Sequence, residues 1–127
     1  MSTKGLTALL GIHDEGVLET WTAILQYNGY SVTQAPTPEE IIRLAECNQH
    51  YAYIMDLNLG KPRSSDITSS VNVYNIVRGR VDAGEARFVG ISGNPDVVDI
   101  AKKHGVPAFY KTDFDMFKFA EQARKSQ

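Results

Sequence analysis

Short apolar runs alternate with stretches of helical periodicity along the chain, and this alternation constrains the fold more than any other feature. Five runs are typical of buried strands, and they are Leu6–Ile12, Tyr30–Gln34, Tyr51–Asp56, Ala86–Ile91 and Pro107–Tyr110. Between them, apolar residues recur at the spacing of one helix face. Short connections between alternating strands and helices favour a parallel sheet covered on both faces, with right-handed crossovers. The sequence therefore predicts an α/β fold built from repeated strand–helix units.

Capping and turn residues indicate where the predicted helices begin. Thr37 is suited to cap the second helix, which we expect to start within the segment Pro36–Glu40. The polar loop Lys61–Asp66 is the one connection longer than its flanking elements require. Thr112 or Asp113 is expected to start the last helix.

Composition excludes several classes of protein. The length of 127 residues suits one domain with a real core, and we expect a single domain over residues 1–127 with no output domain. A net charge of −2 gives no basic excess for nucleic acid. No apolar run approaches membrane-spanning length, and the first residues lack the apolar core of a signal peptide. The single cysteine, Cys47, cannot form an internal disulfide, which favours a reducing, cytoplasmic setting.

Charged and polar side chains follow the predicted carboxyl ends of four strands. Asp14 follows the first strand, Asp56 ends the third, Ser92 follows the fourth and Lys111 follows the fifth. An aspartate at a strand end on its own is more typical of a simple turn. Strand ends of one parallel sheet, however, meet at the edge where open α/β sheets bind ligands. Two acids beside a hydroxyl and an ammonium favour Mg²⁺ and a phosphoryl group as ligands.

These strand ends resemble those of the response regulator receiver domains, which are CheY-like in fold, and the resemblance covers essentially the whole chain. The motifs that carry it are Ile12-His13-Asp14-Glu15, Ile54-Met55-Asp56-Leu57-Asn58, Gly90-Ile91-Ser92 and Phe109-Tyr110-Lys111. The resemblance implies a flavodoxin-like (βα)5 three-layer sandwich with a parallel five-stranded sheet of order 2-1-3-4-5.

The resemblance also implies a function in phosphorelay signalling. Asp56 would accept a phosphoryl group from a sensor histidine kinase or a phosphotransfer protein. Asp14 and Asp56, with the backbone carbonyl of Asn58, would bind Mg²⁺, while Ser92 and Lys111 would contact the aspartyl phosphate. The chain would then be a switch and not an enzyme beyond its self-catalysed phosphoryl acceptance and loss. A downstream protein target would bind through the last helices.

Some positions depart from the receiver pattern. His13 stands where the family has the first of two acids, and because imidazole suits softer metals than Mg²⁺, we favour an outer-shell position for it. Thr112 replaces the usual proline after the lysine, so we expect the peptide bond before it to be trans. The expected aromatic switch position falls on Ala108, with Phe109 and Tyr110 as alternatives.

These departures leave a second function open, a degenerate pseudo-receiver that binds proteins without being phosphorylated. A hydrolase of the phosphotransfer type is disfavoured, because Asn58 stands where its second acid is needed. A flavin-binding flavodoxin is disfavoured as well, because Asp14 and Glu15 would repel a phosphate.

The last helix is rich in large apolar residues. Its periodicity predicts one face shared by Met116, Phe117 and Ala120. Phe114 lies off that face and is a candidate to cover the site, and Phe119 is a candidate partner contact. The alternative, that all of them belong to the core, is left open.

Overall fold

Five strands and five α-helices alternate along the chain in a computed structural model that describes residues 6–35, 37–61 and 64–126. The strands are β1 (Thr7–Gly11), β2 (Ser31–Gln34), β3 (Ala52–Asp56), β4 (Arg87–Ser92) and β5 (Ala108–Tyr110). The helices are α1 (Glu15–Tyr27), α2 (Pro38–Glu46), α3 (Thr68–Asp82), α4 (Pro95–Lys103) and α5 (Met116–Ser126), with a 3-10 turn at Lys111–Asp113.

All strand pairs are parallel, and the sheet order is β2-β1-β3-β4-β5. This confirms the predicted α/β, flavodoxin-like topology. The predicted start of α2 is also confirmed, because the Thr37 side chain accepts a hydrogen bond from the Glu40 backbone N–H. Pro36, which the sequence places at the start of this helix, lies outside the described residues.

The strand β3 is buried on both faces, as its continuous apolar sequence predicts. Tyr53 and Met55 belong to a core on one face of the sheet, beneath α2, α3 and α4. Ala52 and Ile54 belong to a second core on the other face, beneath α1 and α5. Because successive side chains of a strand point to opposite faces, one strand supplies both cores and carries Asp56 out to the sheet edge.

The predicted start of the last helix is wrong by a few residues. Thr112 and Asp113 lie in the 3-10 turn, and Phe114 has an extended backbone. The Asp115 side chain accepts the Lys118 backbone N–H at 3.0 Å, and α5 follows it. Because the 3-10 turn and the extended Phe114 separate Thr112 and Asp113 from α5, Asp115 is the residue whose side chain accepts a backbone N–H of its first turn.

The predicted apolar face of α5 is also partly wrong. Met116, Phe119 and Ala120 are buried, whereas the Phe117 side chain is 67% exposed. Because a helix turns by about 100° per residue, positions 116, 117 and 120 span no wider an arc than positions 116, 119 and 120. Periodicity therefore allows either set, and packing against the sheet selects the second. Phe114 packs on Trp21, with ring centroids 5.4 Å apart, and does not line the candidate site.

Phe119 and Phe117 provide a matched pair that tests this packing. The Phe119 ring is 3% exposed and lies under the Arg87 guanidinium, 3.7 Å from the ring centroid. We expect Phe119→Ala to lower the free energy of unfolding by about 3–5 kcal/mol, because it leaves a cavity. Phe117→Ala should change it by about 0.5 kcal/mol or less. Urea unfolding measures both, and equal effects of the two variants would contradict the assigned face.

The buried imidazole of His50 predicts a pH dependence of stability. Burial, and then the charge of Arg80, lowers the pKa of His50 below its ordinary value. The unfolded chain therefore takes up this proton near pH 6.5, before the folded chain does. The contribution of His50 to stability is complete above that pH and is lost as the pH falls through it.

His50→Gln should accordingly flatten the loss of unfolding free energy as the pH falls below 6.5. His104→Gln is the control, because His104 is exposed at the end of α4. Urea unfolding at several pH values measures both slopes. A slope in His50→Gln equal to that of the unmutated protein would contradict the prediction.

Candidate functional site

The sheet register brings the predicted site residues to one edge. Asp56 on β3 pairs with Ile91 on β4, and Ser92 pairs with Tyr110 on β5, so Lys111 follows directly beyond the same edge. Asp14 comes from the segment between β1 and α1. These side chains line one cleft of about 560 Å³. The other residues that line it are His13, Asn58, Ser64, Ser65, Gly93, Asn94 and Val97.

Asp56 lies at the bottom of this cleft, with its side chain 13% exposed. Its Oδ2 accepts the His13 backbone N–H at 2.7 Å and lies 3.0 Å from Nδ1 of the His13 imidazole. Burial raises the pKa of Asp56, and the hydrogen bond from the His13 backbone opposes that rise. Asp56 is therefore a carboxyl group whose negative charge needs nearby donors or cations.

Asp14 lies at the mouth of the cleft and has two structural contacts. Its Oδ1 accepts the Val17 backbone N–H at 3.1 Å, which caps α1. Its Oδ2 is 3.7 Å from Nζ of Lys111. The hydrogen bond from Val17 is the main cause of a lowered pKa for Asp14. Asp14 is thus held as a carboxylate beside the lysine and is available to a cation.

Ser92 and Asn58 offer neutral groups to the same cleft. Ser92 is buried, and its Oγ accepts the Asn94 backbone N–H at 3.0 Å, so its hydroxyl proton remains able to donate. The Asn58 backbone carbonyl accepts the Lys61 N–H at 2.8 Å, which uses one of its two lone pairs. The Asn58 side-chain amide donates to the Ser64 carbonyl at 3.0 Å and so fixes the loop after β3.

The long loop between β3 and α3 is held by side-chain contacts between its described residues. Lys61 forms an ion pair with Asp66, whose side chain also accepts the Thr68 backbone N–H at 2.9 Å at the start of α3. These contacts lower the pKa of Asp66. Sequence patterns do not predict that two serines of this loop, Ser64 and Ser65, line the cleft. Loop residues carry no periodic signal that would place them there.

The departures from the receiver pattern have definite positions in the structure. Within the described residues there is no cis peptide bond, so the bond before Thr112 is trans, as predicted. Ala108, at the expected switch position, is buried, whereas Phe109 is 43% exposed and contacts the Phe114 ring at a centroid distance of 5.6 Å. Neither Phe109 nor Tyr110 lines the cleft.

His13 contacts the phosphoacceptor candidate directly, because its ring and its backbone both reach Asp56. Contact with a candidate metal ligand is compatible with the outer-shell position that the sequence favours, and that position stays a prediction. The other ring nitrogen, Nε2, accepts the Gly60 backbone N–H at 3.1 Å. His13 therefore links Asp56 to the loop that follows β3.

Two kinds of feature are absent from the described residues. They contain no cluster of three or more His, Cys, Asp or Glu side chains that could hold a metal ion. Residues 6–35, 37–61 and 64–126 also include no helix long and apolar enough to cross a membrane. The three residues predicted to supply oxygen ligands, Asp14, Asp56 and Asn58, all line the cleft.

Comparisons with known proteins find their matches among solved structures. No protein-family profile matches the chain, and no curated protein has a matching sequence. The receiver domain of a sensor histidine kinase from Pseudomonas aeruginosa PAO1 matches with a TM-score of 0.66 over 96% of each chain, at 18% identity. The fold is that of a response regulator receiver domain.

Two further receiver-fold structures extend this comparison. A response regulator from Burkholderia pseudomallei matches with a TM-score of 0.64 and 20% identity, over 94% of this chain and 71% of the other. A Saccharomyces cerevisiae receiver domain, solved with a histidine phosphotransfer protein, matches with a TM-score of 0.64 and 14% identity, over 96% and 88%. The first of the three neighbours holds a magnesium ion in its active-site cleft, and the second holds a phosphorylated aspartic acid and a calcium ion.

Proposed function

We propose that the chain is a receiver domain, a single domain over residues 1–127, that accepts a phosphoryl group on Asp56 and switches the binding of a partner protein. The observation that carries this proposal is the convergence of Asp14, Asp56, Ser92 and Lys111 on one cleft at the carboxyl edge of the sheet. The donor would be a phosphohistidine on a sensor histidine kinase or a phosphotransfer protein, in a cytoplasmic setting. No step requires nucleic acid or a membrane.

The cleft provides the groups that phosphoryl transfer to a carboxylate needs. The negative carboxylate must approach a negative phosphoryl group, so positive charge and hydrogen-bond donors must lie around both. Lys111 supplies an ammonium 3.7 Å from Asp14, and Ser92 supplies a hydroxyl proton from the end of β4. Both extend into the cleft that contains Asp56, so the two can donate to oxygens of a phosphoryl group carried there.

Mg²⁺ fits the donor set, because it prefers oxygen ligands and binds through one or two carboxylates while it keeps several waters. Asp14 and Asp56 would hold it, and the second lone pair of the Asn58 carbonyl is available as a third ligand. When bound, the metal would neutralise charge on the carboxylates and on the incoming phosphoryl oxygens. Two acids and a carbonyl are compatible with the absence of a larger acidic cluster among the described residues.

His13→Asp tests the charge balance of this cation site. The substitution adds a carboxylate beside Asp56, and we expect it to tighten Mg²⁺ binding by about tenfold. Trp21 fluorescence or amide shifts during a magnesium titration measure the affinity. His104→Asp adds the same charge on an exposed position away from the cleft and should leave the affinity unchanged. Equal affinities in both variants would mean that residue 13 does not act on the cation.

A pseudo-receiver is the second candidate, and one observation favours it. The His13 ring and backbone nitrogens already contact Oδ2 of Asp56, so part of the hydrogen-bonding capacity of this carboxyl group is used without a cation. In that case the fold would serve as a protein-binding module without phosphorylation. The partner surface would be the same in both functions, at the last helices and the neighbouring β5, where the Phe117 and Phe109 side chains are exposed.

Beryllium fluoride, which mimics a bound phosphoryl group, separates the two candidates. Trp21 is a natural reporter, because it contacts Phe114, which directly follows the 3-10 turn that begins at Lys111. For a phosphorylatable receiver we expect a saturable change in Trp21 fluorescence and amide shifts that requires Mg²⁺ and is lost in Asp56→Asn. The absence of a response at high Mg²⁺ would favour the pseudo-receiver.

A further inference from the structure

The contacts of His13 determine which of its ring nitrogens carries the proton. Nε2 lies 3.1 Å from the Gly60 backbone nitrogen, which can only donate a hydrogen bond. Nε2 must therefore present a lone pair, and the proton of the neutral imidazole lies on Nδ1. Nδ1 is 3.0 Å from Oδ2 of Asp56, so it donates to that oxygen. The contact is a hydrogen bond from a neutral ring to a carboxylate.

The position of the Gly60 donor is fixed by the fold. Gly60 has a φ of +79°, in the left-handed region, and a side chain there would collide with the Pro38 ring at the start of α2. Glycine adopts this backbone without a steric penalty. The N–H that selects the tautomer of His13 is thus held by a turn packed against a helix, independently of Asp56.

The two donors of His13 make the oxygens of Asp56 inequivalent. The backbone N–H at 2.7 Å and Nδ1–H at 3.0 Å both reach Oδ2. Both contacts involve Oδ2, and no described residue donates a hydrogen bond to Oδ1 of Asp56. Hydrogen bonds to an ionised oxygen are strong and draw on its lone pairs, so Oδ2 is the weaker nucleophile. Oδ1 keeps its lone pairs for a reaction in the cleft.

We infer that His13 is a positioning residue for phosphoryl acceptance: its backbone N–H and its Nδ1–H hold Oδ2 of Asp56, and Oδ1 is the oxygen that takes the phosphoryl group. This inference rests on the proposed function. A lone pair of Oδ1 forms the new O–P bond as the N–P bond of the donor phosphohistidine breaks. The bonding pair returns to the donor nitrogen, and the donor ring, which is protonated on its other nitrogen in the phosphohistidine, leaves as neutral imidazole. Oδ2 becomes the carbonyl oxygen of the acyl phosphate and can keep both donors.

Two amide substitutions of His13 each remove one of its two ring contacts and keep the other. The side-chain nitrogen of Asn sits at the same number of bonds from the backbone as Nδ1, so His13→Asn keeps a donor near Asp56 and loses the contact to Gly60. The amide of Gln reaches as far as Nε2, so His13→Gln keeps an acceptor near Gly60 and loses the donor to Asp56. Both variants retain the backbone N–H, and they differ little in size and not at all in charge.

The rates of acyl phosphate formation from phosphoramidate, with Mg²⁺ present, test the role of Nδ1–H. We expect His13→Gln to be phosphorylated about tenfold more slowly than the unmutated protein, the size of one hydrogen bond to a charged group. His13→Asn should stay within about threefold, because the donor is restored. Equal rates in the two variants would overturn the inference.

The tautomer is measured separately, without phosphorylation. Long-range ¹H–¹⁵N correlations of labelled protein at pH 8 distinguish the two neutral tautomers, and the His13 signals are those missing from His13→Asn. We expect Nδ1–H for His13. An Nε2–H tautomer in a protein that is phosphorylated normally would overturn this inference and leave the proposed function standing. A failure of the unmutated protein and both variants to form acyl phosphate would overturn the proposed function, and the assignment of an attacking oxygen with it.

Discussion

Asp56→Asn is expected to abolish acyl phosphate formation while leaving the fold intact. An amide oxygen is too weak a nucleophile to form the new O–P bond, so no label from phosphoramidate should be retained. The amide can still accept the hydrogen bonds that His13 donates to this position at 2.7 and 3.0 Å. The substitution would therefore remove the reaction and leave the packing of β3 unchanged.

The label is measured by its retention on the protein and its removal by hydroxylamine, and the fold by circular dichroism. Asp99→Asn is the matched control, because it makes the same chemical change on an exposed position of α4. Asp99→Asn should retain as much phosphoryl label as the unmutated protein does. Persistent labelling of Asp56→Asn would place the phosphoacceptor elsewhere in the chain.

Lys111→Met is the second substitution with a large expected effect. Lys111 is the cationic side chain among the residues that line the cleft, and its Nζ lies 3.7 Å from Asp14. Removing a donor aimed at developing charge typically costs about 100-fold or more in rate. We therefore expect phosphorylation by phosphoramidate to slow by about 100-fold. Stability should change by about 1 kcal/mol or less, because the pair with Asp14 is largely exposed.

Single-turnover labelling measures this rate, and Lys102→Met is the control. Lys102 is exposed in the last turn of α4 and does not line the cleft, so its loss should leave the rate unchanged. Lys111→Arg keeps the positive charge, and its phosphorylation rate should lie between those of Lys111→Met and Lys102→Met. A rate for Lys111→Met close to that of the unmutated protein would contradict the assigned role.

The sheet and its edge could be predicted from the sequence because they depend on repetition. Each apolar run, such as the one that ends at Asp56, agrees with its neighbours on a parallel sheet, and the resemblance to receiver domains implies the strand order. That topology alone brings Asp56, Ser92 and Lys111 together, since the register pairs Asp56 with Ile91 and Ser92 with Tyr110. Errors of a residue or two in a strand boundary do not change which edge these side chains reach.

The details that could not be predicted depend on packing and on loop geometry. The choice between Phe117 and Phe119 for the core needs the sheet surface, because both fit the helical period. The start of α5 needs the backbone of the preceding 3-10 turn, since several residues there can cap. The contact of His13 with Asp56 needs the position of the Gly60 N–H, which sequence spacing does not reveal.

The central claim, that Asp56 is a phosphoacceptor, is tested most directly by locating the phosphoryl group itself. The unmutated protein is incubated with Mg²⁺ and phosphoramidate, and peptide mass spectrometry then maps the modified residue. We predict one hydroxylamine-labile phosphoryl group, carried by Asp56 and absent without Mg²⁺. No modification, or a phosphoryl group on His13 or another histidine in place of Asp56, would contradict it.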